Sequence, residues 1–125
     1  MSKSAIILFG HGARDPEWAR PMERVRDAVR AAGGVDVEVA FLEFMQPGLV
    51  EAIDCLARGG ATRITVVPMF LAQGGHVKKD LPQLLDAARA LHPQCEVELL
   101  AAVGEAEAVV AAMADYALQG ARRDG

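Results

Sequence analysis

The sequence predicts an α/β protein, a single flavodoxin-like three-layer sandwich with a four-stranded parallel sheet. Three observations carry that expectation. An apolar run followed by a helical period recurs four times, the order that builds parallel sheets through right-handed crossovers. The first run, Ala5 to Phe9, is continuously apolar, as a strand covered on both faces must be. Glycine pairs fall between the runs, and nothing suggests a linker or a second repeat. One domain over residues 1–125, ordered over about 4–119, is the expected organisation.

Each element follows from its own pattern. After the first strand, Asp15-Pro16 reads as an N-cap with proline at the first helical position. Trp18, Met22, Val25, Val29 and Ala32 then recur at spacings of three and four, one apolar helical face ended by Gly33-Gly34. The second strand runs from Val35 to Leu42, with Val35, Val37, Val39 and Phe41 alternating. Pro47 opens the second helix, Leu49, Val50, Ile53 and Leu56 line its core face, and Gly59-Gly60 close it. Ile64 to Met69 is the third strand. The loop FLAQGGHVKKD leads to a third helix near Asp80 to Leu91, stopped by His92-Pro93. Glu96 to Ala101 is the fourth strand. A helix from about Glu105 to Gln119 is expected to carry Val109, Val110, Met113 and Leu118 inward, with the tail ARRDG frayed.

Composition narrows the function classes. The chain has 125 residues, is 52% hydrophobic and 24% charged, and carries a formal charge of −4. That is a folded globular composition, with no basic surface to neutralise nucleic-acid phosphates. No run is long enough for a signal segment or a membrane span, so the cytoplasm is the expected location. Cys55 and Cys95 form no C-x-x-C and are expected to be reduced, buried thiols.

In parallel α/β sheets, ligands bind beyond the carboxyl ends of the strands. His11 follows strand one between two glycines, Glu43 follows strand two, and His76 lies in the loop after strand three. About one β–α repeat separates each from the next, so topology rather than local spacing brings them to one edge. Two imidazoles and a carboxylate suit a divalent first-row metal with positions left open. The bland alternatives are exposed or capping histidines and a solvated carboxylate. His92, before Pro93 on the opposite side of the sheet, reads instead as a partner for a helix C-terminus. Phe44, Met45, Met69, Phe70 and Leu71 crowd the same edge, where a flat hydrophobic ligand would rest or an ordinary core would close. Arg14, Lys78 and Lys79 stand beside the histidines as candidates for receiving carboxylates or phosphates, with solvated charge as the default.

The motifs GHGARD, FLEFMQP and VPMFLAQGGHVKKDLP, one after each of the first three strands, resemble the short CbiX/SirB family. These are sirohydrochlorin chelatases, related to the class II tetrapyrrole chelatases. The resemblance spans roughly Ala5 to Val103. It implies a lyase that inserts Co²⁺, Ni²⁺ or Fe²⁺ into sirohydrochlorin for cobalamin- or siroheme-type biosynthesis, without a nucleotide. It places the metal-site histidines on His11 and His76 and the acidic residue of the same metal and catalytic site on Glu43. With such a substrate, Arg14, Phe44, Phe70, Lys78 and Lys79, placed at this edge by their positions in the sequence, are the candidate binding residues. Ala13 departs from the serine many relatives carry there, which removes a hydroxyl but no ligand. Longer chelatases fuse two such lobes, so a one-lobe chain implies a homodimer.

Two other readings compete. A metal or tetrapyrrole carrier would use the same pocket without turnover. A histidine phosphatase fits poorly, because Phe9-Gly10 rather than an arginine precede His11.

Overall fold

The computed structural model describes residues 3–122, the side chain of His76 excepted. Four parallel strands form one sheet: β1 (Ser4–Gly10), β2 (Asp36–Phe41), β3 (Arg63–Pro68) and β4 (Glu96–Leu99), in the spatial order β2-β1-β3-β4. Between and after them run α1 (Arg20–Ala32), α2 (Leu49–Arg58), α3 (Gly75–Leu91) and α4 (Glu107–Arg122). The chain leaves β1 outward to β2 and then returns past β1 to β3. The direction of winding therefore reverses between β1 and β3, which opens a crevice at their carboxyl ends.

Side-chain alternation divides the core in two. Ala5, Ile7 and Phe9 of β1, with Ile64, Val66 and Val97, face α2 and α3 and close on Ile53, Leu56, Leu81 and Leu85. Leu8, Val37, Val39 and Phe41 face the other way, onto Met22 of α1. Ile7, Ile53 and Ile64 are fully buried, so truncating any of them to alanine should cost about 2–5 kcal/mol. Arg30 at the end of α1 donates to the Val37 carbonyl at 3.1 Å, and Arg89 near the end of α3 donates to the Val97 carbonyl at 2.7 Å. Those bonds occupy backbone acceptors on the two edge strands, where unpaired groups invite a foreign strand.

The elements depart from the sequence expectation at several points. The first helix is split into a 3-10 turn, Pro16–Ala19, and α1. Asp15 caps the turn by accepting from the Glu17 amide at 3.0 Å, and Pro21, with no N–H to donate, sits at the start of the α-helix proper. Helix α2 starts at Leu49, after Gly48, rather than at Pro47. Helix α3 starts at Gly75, five residues before the expected Asp80, because its buried stripe begins at Val77 and continues through Leu81, Leu85 and Ala88. His76, Lys78 and Lys79 thus belong to a helix and not to a loop. Strand β4 ends at Leu99, two residues short of Ala101, although Leu100 still donates to the Val66 carbonyl at 3.0 Å.

The largest difference is α4. It continues to Arg122 rather than fraying from Ala121, and among the described residues none of its side chains is buried. Val110, Met113 and Leu118 are 48%, 40% and 46% exposed, so they do not point inward. On the trace of α1, Trp18 and Val25 remain exposed as well. The expectation for the tail beyond Arg122 lies outside the described residues. Cys95 is buried, and burial pushes its thiol pKa up. Cys55 faces outward on α2, contrary to expectation, and both thiols are free.

His92 at the end of α3 serves packing. Its Nε2 lies 2.8 Å from Asp54 Oδ1 on α2, and Asp54 also pairs with Arg58. The hydrogen bond from His92, and then the Arg58 cation, hold the Asp54 carboxyl below its ordinary 3.8 although partial burial opposes them. A depressed carboxylate pKa stabilises the native state above the ordinary value, and that contribution is lost as pH falls below it through the native value. Asp54→Asn should therefore be less stable than the parent near neutrality, with the difference shrinking below about pH 4. Denaturant titrations at a series of pH values measure this, and a difference that stays constant into acid would contradict it.

Candidate functional site

His11 is delivered to the carboxyl end of β1 by the turn Gly10-His11-Gly12, and the second glycine is required by its neighbours. A Cβ on Gly10 would press on the flexible end of the Met22 side chain, which can shift. Gly12 has φ +94° and lies so close to the Glu43 carbonyl that a Cβ there would overlap it. Only glycine takes that conformation and that approach together.

The pairing of β1 with β2 consequently continues past the strand ends. Leu42 donates to the Gly10 carbonyl at 2.9 Å and Glu43 to the His11 carbonyl at 3.1 Å. With the two backbones held side by side, His11 Nε2 and Glu43 Oε1 stand 3.1 Å apart, and both side chains remain a little under half exposed. Two donor atoms at that separation, each at a metal–ligand distance of about 2.05 Å, subtend roughly 98° at a shared ion. That angle lies between octahedral and tetrahedral, so a first-row dication fits between them with little rearrangement.

Phe44 follows in the left-handed region, φ 67°, with its side chain 58% exposed. A non-glycine residue there carries strain on the order of 1–3 kcal/mol. The Arg14 guanidinium lies over the Phe44 ring, 5.0 Å from its centroid. Together with Met45 and Phe41 they line a shallow hollow of about 380 Å³. Across the crevice, the loop after β3 carries Phe70 and Leu71. Phe70 is partly buried and packs edge-on against Phe9, with centroids 5.9 Å apart, whereas Leu71 is 71% exposed. Met69 is half-buried beside Met22 on the α1 face.

His76 is the second residue of α3, so its backbone stands at the helix start on the β3 side of the crevice. The position expected for its imidazole lies outside the described residues. Lys78 and Lys79 are exposed on the first two turns of α3. Arg14 and the two lysines therefore sit on different elements. Among the described residues, no group of three histidine, cysteine or carboxylate side chains gathers to hold a metal. The pair His11–Glu43 is what this edge brings together.

The model of the CbiX family matches residues 5–119. The chain belongs to the CbiX family. A protein of Methanopyrus kandleri named sirohydrochlorin cobaltochelatase is 40% identical over 82 residues, a match that takes in 65% of this chain and 57% of the relative. This chain thus spans little more than half the length of the first such relatives. A cobaltochelatase of Saccharolobus islandicus is 35% identical over 101 residues, 78% of each chain. Among solved structures, a cobalamin (vitamin B12) biosynthesis CbiX protein from Marinobacter aquaeolei superposes with a TM-score of 0.84 at 27% identity, over 96% of this chain and 98% of that one. The sirohydrochlorin chelatase SirB of Bacillus subtilis subspecies spizizenii, in complex with cobalt, superposes with a TM-score of 0.77 at 28% identity over 90% of this chain and 49% of its own. The four-stranded parallel fold is thus that of the CbiX and SirB chelatases.

Sequence reasoning singled out the histidine between two glycines but missed what the second glycine does. The Gly-His-Gly signal marks a close approach, and only the structure supplies its partner, the Glu43 carbonyl. Gly12→Ala should displace that carbonyl and part His11 from Glu43. The expected result is a folded protein with a locally altered site and a stability loss of about 1–3 kcal/mol. Thermal unfolding, with the chemical shift of the His11 ring as reporter, measures both, and an unchanged ring environment would sink the account.

Proposed function

We propose that this chain inserts a divalent metal ion, Co²⁺ with Ni²⁺ or Fe²⁺ as alternatives, into sirohydrochlorin. It does so as a cytoplasmic homodimer without a nucleotide. The observation that carries the reading is the His11–Glu43 pair, 3.1 Å apart at the carboxyl edge of the sheet, in a chain of the CbiX family. The names of its relatives supply the substrate.

Insertion exchanges a dication for two pyrrole N–H protons. The incoming ion gives up two water ligands to His11 Nε2 and Glu43 Oε1, and the carboxylate offsets part of its charge. As the ion passes to the pyrrole nitrogens, its bond to Nε2 is replaced by one to nitrogen of the macrocycle. The freed imidazole lone pair takes one of the departing protons. On the family motif alone His76 is assigned the second proton; where it stands instead beside His11 as ligand, the Glu43 carboxylate released by the departing ion takes that proton. Phe44 and Leu71 offer apolar surface to the face of the macrocycle. Phe70, half-buried against Phe9, backs that wall, while Arg14, Lys78 and Lys79 receive the peripheral carboxylates.

A single copy offers a rim and a shallow hollow, whereas small-molecule sites bury most of their ligand. A second copy facing the same edge supplies the missing wall. That is the basis of the homodimer.

Loss of the sirohydrochlorin absorbance on Co²⁺ addition measures turnover. His11→Ala should lower kcat about 10²–10⁴-fold, and His76→Ala comparably. Glu43→Gln should lower it roughly 10–100-fold, with circular dichroism unchanged in all three. Phe44→Ala should raise KM more than it lowers kcat. Near-parental turnover in both histidine variants would refute the site. An absorbance change that stops at one equivalent per site would make the protein a carrier.

A further inference from the structure

Leu71 stands further into solvent than the other apolar residues of the crevice, 71% exposed against 58% for Phe44. It belongs to a stretch, Phe70 to Gln73, that is neither helix nor strand. The Phe70 ring is anchored edge-on against Phe9, but Leu71 and Ala72 beyond it are exposed. A loop with so few buried contacts opens at little cost. A wall for a flat ligand has to keep its place to within a fraction of an ångström.

What fixes the Leu71 backbone comes from beyond the next strand. Strand β3 pairs with β4, so the chain leaving β4 passes beside the loop leaving β3. There Gly104, in the 3-10 turn Val103–Glu105, donates to the Phe70 carbonyl at 3.0 Å. Among the described residues, that is the one backbone hydrogen bond made by Phe70 to Gln73. Gly104 also lies so close to the carbonyl and Cα of Leu71 that any Cβ would overlap them. The obstacle is main chain, not a side chain that can turn aside. The φ of Gly104 is not in the left-handed region, so the close approach alone demands glycine there.

The turn that presents Gly104 is itself anchored. Leu100 donates to the Val66 carbonyl at 3.0 Å, Ala102 is fully buried, and the Glu105 amide closes the turn on the Ala102 carbonyl at 2.9 Å. The same device stands on the other side of the crevice, where Gly12 after β1 lies against the Glu43 carbonyl after β2. Each outer pair of strands, β1 with β2 and β3 with β4, is thus held together past its end by a glycine against a carbonyl. One contact sets the His11–Glu43 pair. The other sets Phe70 and Leu71.

We propose that Gly104 is a positioning residue of the substrate site, acting through the Leu71 backbone to hold the apolar wall on which the macrocycle rests. It touches neither the metal nor the macrocycle. This role rests on the chelatase reading, which gives Leu71 its task. A wall of this kind contacts the macrocycle equally before and during insertion, so displacing it weakens binding and spares the chemical step. Gly12 acts instead on the metal-binding pair. Disturbing the two glycines therefore leaves different signatures.

Three measurements separate them: the Kd of metal-free sirohydrochlorin from its emission, the Kd of Co²⁺, and the kcat and KM of insertion. Gly104→Ala should raise Kd and KM for sirohydrochlorin about tenfold, the worth of one leucine-sized contact, with kcat within about twofold of the parent. Its Co²⁺ binding should be unchanged. Leu71→Ala, an exposed change that leaves the fold alone, should act alike, and combining the two should add little, because one works through the other. Glu105→Gln, beside Gly104 in the same turn, should alter none of these values. Should Gly104→Ala fail to fold, Val103→Gly decides, since it loosens the turn without a collision and should raise the same KM. A parental KM in the folded variant, a fall in kcat as large as the rise in KM, or full additivity with Leu71→Ala each overturns the proposal. A parent that binds sirohydrochlorin without inserting Co²⁺ ends the chelatase reading alone, and the binding constants still decide for or against Gly104. A parent that binds no sirohydrochlorin overturns both.

Discussion

The site depends on one close approach, the backbone of Gly12 against the Glu43 carbonyl. Without a Cβ at Gly12, the chain segments leaving β1 and β2 stay in contact after the sheet has ended, and the Glu43 amide can still reach the His11 carbonyl at 3.1 Å. Strands in a twisted sheet otherwise splay as they enter their loops, and side chains at successive strand ends diverge with them. Holding the two backbones together sets Nε2 and Oε1 at a metal-binding separation. It does so through main-chain contacts rather than through a network of side chains. The imidazole and carboxylate can therefore remain accessible and still be positioned.

Other constraints lead outward from the same place. Because the winding reverses between β1 and β3, the loop bearing His11 turns toward the α1 face and the loop bearing Phe70 and Leu71 toward the α3 face. The crevice between them needs no dedicated carving. Its walls differ in kind. On the β2 side, Phe44 is held out toward solvent by a left-handed backbone, a strained conformation that ordinary packing would not select. On the β3 side, Phe70 is tied into the core through Phe9 and only Leu71 is presented.

How much of this was legible in the sequence follows from which forces were local. The four strands and their helices announced themselves, because burial on both faces writes continuous or alternating apolar runs into the chain. The start of α3 was misplaced because Gly74-Gly75 and the charged Lys78-Lys79-Asp80 run mimic a loop, whereas the decisive contact is the burial of Val77 on the sheet. The His11–Glu43 pair was foreseen as a set of strand-end residues, since topology alone carries them to one edge. The part played by Gly12 was not, because its partner is 31 residues away and is a backbone carbonyl with no signature of its own. Cys55 and Cys95 look alike in sequence, yet one faces outward on α2 and the other lies buried. The period of Leu49, Ile53 and Leu56 already sets Cys55 off the apolar face of α2, whereas Cys95 lies in the turn before β4, where no period applies.

Helix α4 shows a deeper limit. Its amphipathic stripe was read as core, and amphipathicity does state that a helix face wants to be covered. It does not state by which chain. Hydrophobic burial is non-directional and indifferent to connectivity, so the choice between folding back and reaching out falls to the root of the helix. Here the root is Gly104, seated on the Leu71 backbone and bonded to the Phe70 carbonyl. That seat belongs to the loop which forms one wall of the crevice.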